Sequence, residues 1–177
     1  SYQAPKRGDV EQRTYSQSAS SNSATETATV ANLMNGKKDA VFSIRPQSTL
    51  KDAVMELRDK RIGALLVRDA NGELIGILSE RDIVRKLADT PGETLPKKVE
   101  DIMTKSVEVC APGDTLASVL RRMTAGHFRH MPVKDGGNLI GMLTIGAVLN
   151  NRLTELEHEA LQLKQLRFED VLRHLHV

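Results

Sequence analysis

The apolar residues of this chain fall into two kinds of run that alternate along it. Short continuous runs at Val41 to Ile44, Ile62 to Val67 and Leu74 to Leu78 are bounded by Pro46, Asn71-Gly72 and polar residues, which predicts strands. Between the first two, Leu50, Val54 and Leu57 recur at helical spacing behind Thr49, a residue suited to capping a helix start. The strand Leu74 to Leu78 hands directly to a second helix that starts at Ser79 and runs to Leu87. A short helix over Thr29 to Met34, stopped by Asn35-Gly36, precedes them all, and Pro91-Gly92 with Pro96 forms a linker after them. The order is helix, then β-α-β-β-α.

The same order follows a second time. A helix at Val99 to Met103 leads into a strand at Val107 to Cys110 and a helix with Leu116, Leu120 and Met123 on its apolar face. Strands at His130 to Val133 and Leu139 to Leu143 then flank Gly136-Gly137, and a last helix begins near Ile145. Leu74-Ile75-Gly76-Ile77-Leu78-Ser79 lies over Leu139-Ile140-Gly141-Met142-Leu143-Thr144 at an offset of 65, Gly76 onto Gly141. Pro46 to Leu50 lies over Pro112 to Leu116, and Val67-Arg68-Asp69 over Val133-Lys134-Asp135, both at an offset of 66. The one-residue slip falls in the turn at Asn71-Gly72, where a deletion is cheap. Two copies are too few for a solenoid, so the expectation is a pseudo-symmetric α+β pair. The expected limits are a flexible arm over 1–28, units over 29–97 and 98–152, and a helical extension over 153–177.

The last helix outruns its counterpart. Leu149, Leu153, Leu156, Ala160 and Leu163 alternate steps of four and three, a narrow heptad seam. Beyond Leu163 the phase breaks, while Leu166, Val171, Leu172 and Leu175 keep one side apolar. The seam can be buried against its own domain or against a second subunit, and two heptads do not decide between them.

Composition narrows the function classes. Twenty-five basic against 23 acidic residues leave a net charge of +2, too little for a protein built on phosphate-backbone contacts. Three Phe, two Tyr and no Trp supply few rings for stacking bases, so nucleic acid is not an expected partner. The single cysteine, Cys110, sits in an apolar run and reads as a small buried hydrophobe in a reducing compartment. No apolar run has the length to span a bilayer, and a cytoplasmic protein without membrane partners is the default expectation.

Candidate chemistry is concentrated at the first strand exit, Gly76-Ile77-Leu78-Ser79-Glu80-Arg81-Asp82. A helix start presents unpaired N–H groups and a positive dipole end, which favour an anion. Ser79 and Asp82 have the spacing of a capping box, and equally place two oxygens where they can meet ligand hydroxyls. His158, His174 and His176 show no metal-ligand spacing and read as solvated. No nucleophile motif, Walker loop or Gly-rich dinucleotide run occurs, so catalysis and a metal are not expected.

Two tandem β-α-β-β-α units, each with a P-x-x-T-L helix start and an L-I-G-x-L-[ST] strand exit, resemble a pair of CBS (cystathionine-β-synthase-type) domains. The likeness covers roughly residues 30 to 150, and the S-E-R-D run with the H-x-R-H-x-P-V strand is similar to small stand-alone bacterial CBS pairs. The resemblance implies a Bateman module that senses an adenosyl ligand in clefts between the copies. Carried over, it implies that Ser79 and Asp82 hold ribose and that Arg129 and His130 face phosphate. It also implies that the second cleft, where Ala147 stands for the Asp and Gly63-Ala64 for Arg129-His130, is weak, with Thr144 still able to touch a ligand. An ionised Asp accepting from two hydroxyls and an Arg fork on phosphate suit such a ligand. One Arg and one His favour AMP or NAD(H), with ATP, ADP and S-adenosylmethionine as alternatives. A homodimer and a regulated protein are the implied partners; an interaction scaffold without ligand is the competing reading.

Overall fold

The computed structural model describes residues 28–35 and 41–175. Apart from Ala28, the expected N-terminal arm lies outside the described residues, as does His176. The elements follow the order read from the apolar pattern. They are α1 (Val30–Met34), β1 (Ser43–Ile44), α2 (Leu50–Lys60), β2 (Ala64–Arg68), β3 (Leu74–Ser79) and α3 (Glu80–Asp89), then α4 (Val99–Ile102), α5 (Leu116–Gly126), β4 (His130–Asp135), β5 (Asn138–Thr144) and α6 (Ile145–Leu175).

Packing gathers the described residues into two bodies. One holds residues 41–111 and 130–143. Its three-stranded sheet runs β1-β2-β3, with β1 parallel to β2 and β2 antiparallel to β3. The apolar run of β2 is buried from Ala64 to Val67 because α2 and the neighbouring strands cover it. Ile44, Leu50, Ala53, Leu57, Leu65, Val67, Leu78, Ile83 and Val99 form its core. Gly76 is required where the chain after α4 crosses β3. A Cβ there would overlap Met103 Sδ and approach the Thr104 carbonyl to 3.2 Å.

The expected strand over Val107 to Cys110 shrinks to one parallel bridge, Cys110 opposite Val133. Cys110 N–H donates to the Pro132 carbonyl at 3.0 Å and Lys134 N–H donates to the Cys110 carbonyl at 2.9 Å. The next rung would need an N–H from Pro132, which has none. In the first copy Leu66 occupies that place, and its N–H donates to the Phe42 carbonyl at 3.1 Å. One proline therefore shortens the ladder.

The second body holds residues 28–35, 112–129 and 144–175. Here Val30 N–H donates to the Asp114 carbonyl and Ala31 N–H to the Pro112 carbonyl, both at 2.9 Å. In the first body Val99 N–H donates to the Ser48 carbonyl at 2.8 Å and Glu100 N–H to the Pro46 carbonyl at 3.0 Å. Each short leading helix thus pins the main helix start of the other repeat: α1 holds α5, and α4 holds α2. α6 is one continuous helix of 31 residues that packs against α5 and buries Val148.

Candidate functional site

Ser79 ends β3 in extended conformation and starts α3, as the apolar-to-polar switch at Leu78-Ser79 predicts. Its N–H and its hydroxyl both donate to Asp82 Oδ2 at 3.0 Å, and Asp82 N–H donates back to Ser79 Oγ at 3.3 Å. The capping box is therefore closed, and both residues are half-buried. Asp82 Oδ1 carries no hydrogen bond among the described residues and retains its acceptor capacity. Asp52 makes an equivalent box with Thr49 at the start of α2.

His130, the first residue of β4, comes from the second repeat and lies in the same body as this strand exit. The space above Gly63 is where they meet. A Cβ on Gly63 would stand 3.1 Å from His130 Nε2, 3.3 Å from Cε1 and 3.4 Å from Glu80 Oε1. Glu80 directly follows Ser79, and Glu80 N–H donates to the Gly63 carbonyl at 2.9 Å. So the imidazole of the second copy, the Glu80 carboxylate and the start of α3 converge above Gly63, where a Cβ would press on the ring and the carboxylate.

Gly63 and Glu80 also belong to this convergence, and sequence reasoning gave them no part in it. Gly63 reads in the sequence only as the absence of an Arg. Its use is visible once β4 is placed. Glu80 had no signal beyond its place in the Ser79-Glu80-Arg81-Asp82 run.

Arg129 and Thr144 lie in the other body. Both are exposed; the Arg129 carbonyl accepts from Ile145 N–H at 2.9 Å, repeating the Glu80-to-Gly63 bond of the first copy. Thr144 caps α6 by accepting from Ala147 N–H at 3.2 Å, and Ala147 supplies nothing in return. His127 has a structural part, closing α5 in the left-handed conformation at φ 55°, as Arg61 closes α2 at φ 54°.

An open groove of about 840 Å³ in the second body is lined by Ala28, Asn32, Arg152, Glu155, His158 and Glu159 among others, and by none of the expected ligand residues. Cys110 is buried, with Sγ 3.6 Å from the Pro132 carbonyl, as a small hydrophobe would be. His158 pairs with Gln162 and His174 with the Asp170 carbonyl, both exposed. Among the described residues no group of three His, Cys, Asp or Glu is gathered, and no helix is long and apolar enough to cross a membrane.

Comparison with known proteins gives a consistent picture. The CBS domain family model matches residues 30–89 and 99–153. The CBS domain-containing protein CBSCBSPB5 of Arabidopsis thaliana is 33% identical over 117 residues, 66% of this chain, which spans about a fifth (21%) of that relative's length. The CBS-domain containing protein ATU1752 from Agrobacterium tumefaciens superposes with a TM-score of 0.68 at 35% identity, covering 72% of this chain and 95% of that one. The crystal structure of CBSX2 in complex with AMP superposes with a TM-score of 0.58 at 31% identity, covering 72% and 97%.

Proposed function

We propose, on the premise that this chain belongs to the CBS-domain family, that it is a regulatory module that binds an adenine nucleotide and has no catalytic activity of its own. AMP or an NAD(H)-type dinucleotide is the leading ligand, with ATP, ADP and S-adenosylmethionine as alternatives. Ser79 and Asp82 would take the ribose hydroxyls, and Arg129 and His130 the phosphate. Thr144 would be the remaining contact at the weaker site, where Ala147 offers no acceptor. The two units of 29–97 and 98–152 are the functional halves in this reading, and a further protein receives the signal.

The observation that carries the proposal is the meeting of His130 with Glu80 above Gly63, one residue from the Ser79–Asp82 box. A carboxylate with a spare oxygen and an imidazole on a glycine-made opening suit a group with a diol at one end and an anion at the other. CBSX2, 31% identical to this chain, is known in complex with AMP.

The test is a thermal-shift panel of AMP, ATP, NADH and S-adenosylmethionine. A true ligand at a hundred times its Kd adds about 2.7 kcal/mol of stability. AMP should also bind more tightly than adenosine, which lacks the phosphate that Arg129 and His130 would meet. No shift with any member of the panel would leave the scaffold reading. A specific feature favours that second reading: Ser79 and one oxygen of Asp82 are already engaged with each other.

A further inference from the structure

We infer that Glu80 sets the charge preference of the proposed nucleotide site, admitting a monophosphate and disfavouring a triphosphate. The inference rests on the nucleotide reading above and adds to it a residue that chooses among ligands. Nε2 of His130 and Oε1 of Glu80 lie 3.1 and 3.4 Å from one point, the Cβ position above Gly63. Their separation cannot exceed the sum of those two distances, so both groups flank the same small space. A phosphate that reaches the imidazole therefore also meets a carboxylate. Glu80 is exposed, and its carboxylate enters no ion pair or hydrogen bond among the described residues. No neighbour cancels its charge; solvent and salt only weaken it.

The second copy shows that the fold does not need this carboxylate. Ile145 occupies the place of Glu80 at the repeat offset of 65, and it starts α6 as Glu80 starts α3. The backbone bond is the same in both. Glu80 N–H donates to the Gly63 carbonyl and Ile145 N–H to the Arg129 carbonyl, each at 2.9 Å. An acid in the first turn also suits the helix dipole. Asp82 already serves α3 in that way and closes its capping box, while α5 and α6 start with no first-turn acid at all. What distinguishes the copies is the pair joined by that bond: Glu80 with Gly63 in one, Ile145 with Arg129 in the other.

A carboxylate beside the phosphate-facing imidazole lowers its pull on any anion, and the loss grows with the charge brought in. AMP brings one phosphate group and ATP three. The space over Gly63 thus tolerates the first and discriminates against the second, a specificity built by repulsion.

The test is calorimetric titration of adenosine, AMP and ATP, without divalent metal, into the unaltered chain, Glu80→Gln and Glu80→Asp. Glu80→Gln keeps the backbone bond and the side-chain size, so circular dichroism should not change. It should tighten AMP roughly threefold and ATP roughly tenfold, and leave adenosine within about twofold. Glu80→Asp keeps the charge and should keep the preference for AMP over ATP. Four results would overturn the inference while nucleotide binding stands: ATP bound more tightly than AMP by the unaltered chain, an AMP-to-ATP ratio unmoved by Glu80→Gln, an equal gain for adenosine, or an equal gain in Glu80→Asp. If the unaltered chain binds none of the three, the nucleotide reading fails and this inference falls with it.

Discussion

The two copies differ most tellingly at their helix starts. In the first, the third helical residue is Asp52 in α2 and Asp82 in α3, and both close capping boxes. In the second, Ser118 and Ala147 occupy those places, and Thr115 and Thr144 cap their helices without an acid. The backbone turn is therefore made with or without the carboxylate. Asp52 shows in addition that such an acid can serve the helix alone. What separates Asp82 from Asp52 is its surroundings, namely the nearby opening over Gly63 that receives His130 from the other repeat. In the proposed reading, that convergence marks the ligand site more than the acid does.

Substitutions that make one copy more like the other probe this difference. Gly63→Arg, which imports the residue standing at Arg129, should have the largest effect. It drives a long side chain into space held by the His130 ring and Glu80, and a loss of about 1–3 kcal/mol is expected in denaturant unfolding. Asp82→Ala, which copies Ala147, removes the acceptor for the Ser79 N–H and hydroxyl and should cost about 1 kcal/mol. The reverse change, Ala147→Asp, should raise stability by somewhat less, because Thr144 already caps one donor of α6. His127→Gly and Arg61→Gly relieve non-glycine residues of the left-handed conformation and should each stabilise by no more than about 1 kcal/mol. Pro132→Leu puts a larger side chain at a buried position, so repacking sets its effect on global stability. Its signature is local: a protected amide at 132 in hydrogen exchange, bonded to the Glu108 carbonyl as Leu66 is bonded to Phe42.

The fold was legible because its signals are local. Continuous apolar runs marked the strands, threonines and Ser79 marked the helix starts, and Asn71-Gly72 marked the tight turn that the structure shows, with Gly72 at φ 79°. The strand at Val107 to Cys110 was misread because its length depends on which residue of β4 faces it, and a proline weakens a ladder only at one register. The crossing of α1 onto α5 and of α4 onto α2 was equally hidden, since it consists of backbone hydrogen bonds between distant segments. At the candidate site, Ser79 and Asp82 were singled out by spacing, and Arg129 and His130 by the family resemblance. Gly63 was read as a loss and turned out to be the room His130 needs. The leucines of α6 were visible as a stripe, but their exposure had to come from the structure.

Calorimetric titration of AMP into the intact chain, its Asp82→Ala variant and its Asp52→Ala variant tests the central claim most directly. Both substitutions remove the acid of a capping box, the Asp82 box being the tighter by its Ser79 hydroxyl bond, so Asp52→Ala controls for loss of a cap with no ligand near. The account predicts one strong site per chain that survives Asp52→Ala. Asp82→Ala should weaken it by at least about tenfold, as expected for loss of a charge-assisted hydrogen bond to ribose. Equal binding by both variants, or no binding by the unaltered chain, would contradict it.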